Sequence, residues 1–160
     1  MVVTIPDAVV AALGEPVTTG VAAQAFPFLT VDDAGSPHCC LLSSTEVAVA
    51  ADRGELYVAL TSRRTRSHLR RRPVATLLVV EGTTLHSCKL AVEASTAADV
   101  DVDVDVDGVA LSLVDHGADS LGIELTALGF MPPPGLAELE RWDLTTAALD
   151  AIRRSRASRS

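Results

Sequence analysis

Aromatic residues make up only 3% of this 160-residue chain, which removes the stacking platforms on which single-strand nucleic-acid binders lay their bases. Lysine is scarcer still, since Lys89 is the only one. A broad basic face is excluded too: the formal net charge is −8, so the phosphate neutralisation behind non-specific nucleic-acid binding has no counterpart. No apolar run approaches the roughly 18 residues that cross a bilayer. The opening MVVTIPDAVV lacks the basic stretch of a signal peptide. The expectation is a soluble, cytoplasmic protein with no membrane and no nucleic-acid partner. Cysteine is also sparse. Cys39, Cys40 and Cys88 are odd in number and show no CxxC spacing, and Cys39 and Cys40 would point to opposite faces of a strand. They read as small buried hydrophobes of a reducing compartment.

What is present is aliphatic. Apolar residues reach 48%, dominated by Ala, Val and Leu, and valine-rich segments favour strands because a branched side chain packs well on a pleated surface. The length suits a single domain spanning residues 1–160. Residues 6–13 read as an opening helix, with Pro6 in the first turn and Gly14 as a stop. Strand-like stretches follow at residues 21–31, interrupted by Pro27, and at 38–42, joined by the turn residues Asp32 to Pro37. Residues 47–51 and 56–60 flank Asp52-Arg53-Gly54 as a hairpin. Residues 74–80 form an apolar run that reads as a strand buried on both faces, and residues 85–94, 109–114 and 121–128 extend the series. Residues 136–154 have helical periodicity. Many short strands with few helices indicate a mainly β barrel or sandwich with peripheral helices.

Two segments invite a ligand. Asp103, Asp105, Asp107 and Gly108 match the first half of a calcium loop, but Val114 stands where a bidentate glutamate is needed. The alternating Asp/Val stretch over residues 99–107 therefore reads as an exposed edge strand or hairpin arm with aspartates outward, and no metal is expected. The second segment is TSRRTRSHLRRRP, residues 61–73. Six of the thirteen basic residues, Arg63, Arg64, Arg66, Arg70, Arg71 and Arg72, fall inside it. Thr61 and Ser62 can cap a helix just ahead of forked cationic donors, which is how a chain builds a phosphate cradle at a helix N-terminus. The four histidines, His38, His68, His86 and His116, are isolated from one another along the chain, and Lys89 reads as solvent-facing, with a ligand contact as the alternative.

Taken in order, FLTVDDAGSPH, GELYVAL, TSRRTRSHLRRRP and VATLLVV resemble successive pieces of the FMN-binding split-barrel family related to pyridoxamine 5′-phosphate oxidase. The resemblance runs from about Phe28 to Ser95. It implies a six-stranded antiparallel split β-barrel, a homodimer, and a flavoprotein acting as an oxidoreductase on a small-molecule substrate. By that resemblance Ser62, Arg63 and Arg64 occupy the turn that binds the phosphate of FMN. Tyr57 through Thr61 line the flavin, and Thr65 and His68 are further cofactor contacts. The oxidase branch carries an arginine and a lysine on its second strand and an Arg-x-His type segment near its end. Here the second strand reads HCCLLSSTE and the chain ends through GFMPPPGLAELERWDL, so vitamin B6 oxidation is not implied. Two alternatives stay open: an F420-dependent reductase of the same fold, and a cofactor-free ligand-binding barrel.

Overall fold

In a computed structural model, which describes residues 3–98 and 106–159, the chain opens with α1 (Asp7–Leu13). Pro6 sits in extended conformation at its N-cap, and Val9 and Leu13 are buried. The strands β1 (Ala23–Gln24), β2 (Phe26–Val31), β3 (Pro37–Leu42), β4 (Val47–Val49) and β5 (Glu55–Leu60) follow. Next come α2 (Arg63–Arg71), β6 (Val74–Glu81), β7 (Thr84–Ala98), β8 (Val106–Ser120) and β9 (Gly129–Phe130). The short α3 (Leu136–Leu139) and α4 (Trp142–Ala157) close the chain. The expected C-terminal helix is thus two, parted at Arg141, whose φ of 53° is left-handed.

Seven strands form one curled antiparallel sheet in the order β3-β2-β6-β7-β8-β5-β4, while β1 pairs with β9 apart from it. Six strands were expected, and the three-residue β4 at one edge makes up the difference. Pro27 remains inside β2, where only the pairing with β3 runs; the ladder to β6 covers Phe28↔Leu77 and Leu29↔Thr76. A proline is tolerated where its missing N–H interrupts no ladder. Residues 121–128 are not the strand that was expected. β8 continues unbroken to Ser120, and positive φ at Gly122 then turns the chain into a loop that bonds Gly82 through Leu125 N and Ala25 through Leu128 O.

Two apolar clusters lie on opposite faces of the sheet. The larger joins Phe26, Phe28, Leu77, Val79 and Leu111 to Val9 of α1 and Leu69 of α2. The smaller joins Tyr57, Ala59 and Ala110 to Leu144, Ala148 and Ile152 of α4. Two-sided burial therefore falls on β5, whose Leu56, Val58 and Leu60 face one cluster and Tyr57 and Ala59 the other. β6 was expected to be buried on both faces, but it alternates, with Ala75, Leu77 and Val79 buried and Thr76, Leu78 and Val80 only half-buried. The reason is α4, which covers β5 and β8 and leaves β6 uncovered on that side.

Gly108 shows how close α4 comes: a Cβ there would lie 2.5 Å from the carbonyl oxygen of Ala148. The neighbouring Asp107 was expected to point outward from an exposed arm. It is instead buried, at 5% exposure, within β8 opposite Leu60. Residues 99–105, the rest of the Asp/Val stretch, lie outside the described residues. The cysteines are free; Cys88 is buried and its thiol is pushed up to about 11 by that burial, but Cys39 is exposed, contrary to expectation, because it takes the outer face of the edge strand β3. Among the described residues no helix is long and apolar enough to cross a membrane.

Candidate functional site

α2 begins where the sequence placed it. Ser62 is extended at the N-cap, and its hydroxyl accepts a hydrogen bond from Thr65 N at 3.2 Å, satisfying one of the orphan first-turn donors. Three turns then separate the helix into faces. Thr65, Arg66, His68 and Leu69 are buried, whereas Arg63, Arg64, Arg70 and Arg71 are exposed. Leu69 anchors the helix in the larger apolar cluster, and His68 Nδ1 meets Thr30 Oγ1 of β2 at 2.9 Å. The His38 ring stands edge-on to that of His68, with centroids 5.0 Å apart.

Beyond its first turn α2 is bound to acids. Arg66 and Arg70 converge on Asp107, at 3.5 Å and 3.1 Å, and Arg66 also donates to the Thr61 carbonyl at 3.4 Å. Arg71 pairs with the carboxylate of Asp33, and Arg72 donates to the Asp33 carbonyl at 3.4 Å. The hydrogen bond from Arg71 holds the Asp33 carboxyl below its usual range. Asp32 is engaged locally, since Oδ1 accepts from the backbone N–H groups of Ala34 and Ser36 and closes the turn between β2 and β3. Arg63 and Arg64 have no such partner among the described residues. They border a cavity of about 540 Å³ that also touches Asp33, Ser67, His68 and Arg71.

The residues expected to hold a cofactor are thus only partly assembled. Ser62, Arg63, Arg64, Thr65 and His68 share α2, and Arg63, Arg64 and His68 share the cavity. Thr61 is exposed at the helix entry. Thr65 is buried beside the Cys40 thiol, which burial raises and the contact with Thr65 partly offsets. Tyr57 lies elsewhere. Its ring packs beneath α4 with Leu144 and Ala148 and lines a different cavity with Glu55, Arg153 and Arg156. Burial and Glu55 raise its phenol above the usual value. Arg156 clamps that end of α4 through paired bonds to Glu55 at 3.0 and 2.6 Å.

Several groups at the site escaped the sequence reading. Thr30 and His38 belong to it because the β2–β3 register places them opposite each other beneath α2. The only sequence signal was alternation, which puts Phe28 and Thr30 on one face. The histidines are not isolated in space either: beyond His38 and His68, the β7–β8 pairing brings His86 Nδ1 within 2.9 Å of His116 Nε2.

No family model and no curated protein sequence matches the chain. Solved structures do. An F420 reductase is similar at a TM-score of 0.53 and 12% identity, over 71% of this chain and 98% of that one. A putative oxidoreductase from Sinorhizobium meliloti 1021 is similar at 0.50 and 16% identity, over 87% of this chain and 57% of that one. A protein of the pyridoxinephosphate oxidase family from Clostridium acetobutylicum, related to general stress protein 26, follows at 0.48 and 11% identity, over 68% and 86%. The fold is a split barrel, mainly β with peripheral helices.

Proposed function

We propose that this split barrel binds FMN with the phosphate at the amino end of α2, and acts as a small flavin-dependent oxidoreductase. One observation carries the proposal. Of the six clustered arginines, only Arg63 and Arg64 face solvent without a carboxylate or carbonyl partner among the described residues, and both stand in the first turn of a capped helix. There the unpaired backbone N–H groups and the positive end of the helix dipole add to their charge. The residues present fit a phosphate. Ser62 accepts from Thr65 N and still has its own hydroxyl proton to donate, and two guanidinium groups offer forked donors. His68, oriented by Thr30, forms part of the cavity wall beside them. A bound flavin would itself supply the hydride or electron chemistry; the chain's residues hold and orient it. The reading carries with it a homodimer and a cytoplasmic setting, the latter supported by three free cysteines.

F420 is the second reading, favoured by the similarity to an F420 reductase. Against it, the downstream arginines that would meet a longer acidic tail are engaged by Asp107 and Asp33. An absorbance spectrum of the purified protein, with thermal melts against FMN and against F420, tests both. A flavin spectrum, or a melting temperature that climbs with FMN concentration, supports the first reading, and a selective response to F420 supports the second. A colourless protein that melts identically with either leaves a cofactor-free ligand-binding barrel and overturns the redox proposal.

A further inference from the structure

The outer face of the sheet carries a second concavity, separate from the α2 cavity. It encloses about 440 Å³ and is lined by Leu29, Val31, Pro37, Val74, Lys89 and Val114. Its cause is a break in the β7–β8 ladder. Lys89 pairs with Asp115, but the next residue, Leu90, pairs with Leu113, so Val114 is an extra residue with no partner. Such a bulge bends the strand and redirects the side chains around it. Both residues at the break, Lys89 and Val114, line the hollow. Val74 and Val114 remain 48% and 58% exposed, an unusual degree for aliphatic side chains facing the same small hollow.

Lys89 supplies the charged element, beside the hydroxyls of Thr30 and Thr76. It is the chain's single lysine, and no carboxylate among the described residues lies within ion-pair distance of it. Asp115, directly opposite on the ladder, instead accepts a hydrogen bond from the His116 backbone N–H at 3.0 Å. An apolar hollow of this size with one convergent charged group has the make-up of a small-molecule site. From this geometry we infer that the bulge builds a binding site for a small amphipathic carboxylate, its hydrocarbon body against Leu29, Val31, Val74 and Val114 and its carboxylate on Lys89. Charge selects this occupant: Lys89 is exposed at the rim of the hollow, where a carboxylate gains an ion pair, a neutral ligand gains none and a cation is repelled. The inference does not rest on FMN binding at α2.

The test is an NMR titration of the full isotopically labelled chain with sodium octanoate, using 1-octanol and octylammonium as controls. Saturable octanoate shifts centred on Leu29, Val31, Val74, Lys89 and Val114 are expected. Lys89→Met should weaken octanoate about two- to fivefold while leaving octanol unchanged, and Lys89→Arg should retain binding. Equal affinity for octanoate and octanol, or shifts centred elsewhere, overturns the site. So does sedimentation showing a dimer that Val114→Asp dissociates while octanoate does not bind, because the hollow then belongs to a second copy of the chain. The response of Lys89→Met to FMN in thermal melts should match the unsubstituted protein, so the two proposals fail separately.

Discussion

The two ends of α2 use the same residue for opposite purposes. Beyond the first turn, Arg66, Arg70 and Arg71 are held by Asp107 and Asp33, acids that stand 37 and 38 residues from Arg70 and Arg71 in sequence. At the amino end, Arg63 and Arg64 have no acid to hold them among the described residues. Asp107 fastens the helix to β8, whereas the Arg71–Asp33 bond lies exposed at the β2–β3 turn. Arg63 and Arg64 are available to a ligand. An arginine cluster is thus not one electrostatic object: a guanidinium already satisfied by a fixed carboxylate adds little attraction for an incoming anion, whereas an unsatisfied one at a helix N-terminus adds its full charge to the dipole.

The largest effect should come from breaking the fastening. Asp107→Ala removes the carboxylate beside the 6%-exposed Arg66 and should cost about 1.5–3 kcal/mol in urea unfolding, the range for a hydrogen bond to a charged group. Combining Asp107→Leu with Arg66→Met should recover most of that loss, since no buried charge is then left behind. If Asp107→Ala unfolds like the unsubstituted protein, the two ends of α2 do not differ as described.

At the other end, Arg64→Ala should weaken FMN binding by roughly 1.5–3 kcal/mol, the range for a charge-assisted contact, with little change in stability. Arg72→Ala should weaken it far less. Equal losses at both positions, measured by fluorescence titration of FMN, would erase the distinction.

The histidine pair on β7 and β8 extends the same logic to pH. Burial, and then the nearby His116, hold His86 below the ordinary imidazole value of 6.5. Between those two values the unfolded chain binds the proton and the folded chain does not. The stabilisation is therefore complete above about pH 6.5 and is lost as pH falls through the folded value. Melting temperature should drop on acidification below that point, and His86→Gln should flatten the dependence. The smallest effect is expected at the solvent-facing pair. Asp33→Asn removes the partner of Arg71 from a bond that is exposed on both sides, and the melting temperature should not change measurably. A clear drop would mean that the β2–β3 turn shares in holding α2.

Where local rules sufficed, the sequence was a good guide. The hydroxyl of Ser62 caps α2 and Pro6 starts α1, because capping and proline geometry involve only residues within one turn. The hairpin turn at Asp32 is equally local, since its side chain bonds the backbone two and four residues on. β6 and Asp107 misled for one shared reason. Hydropathy states that a segment is apolar or charged, not what will lie above it.

By itself, then, the sequence determined a mainly β chain, the helices α1 and α2 with the strands beside them, and the capped, arginine-rich start of α2. Tertiary structure alone decided that β5 rather than β6 is covered on both faces, that Tyr57 lies under α4 away from α2, and that Asp107 points inward. It also decided which arginines are engaged and which are free. The physical reason is range. Caps and turns act over about four residues, but an ion pair across more than thirty exists only once sheet register and helix docking have brought its two ends together.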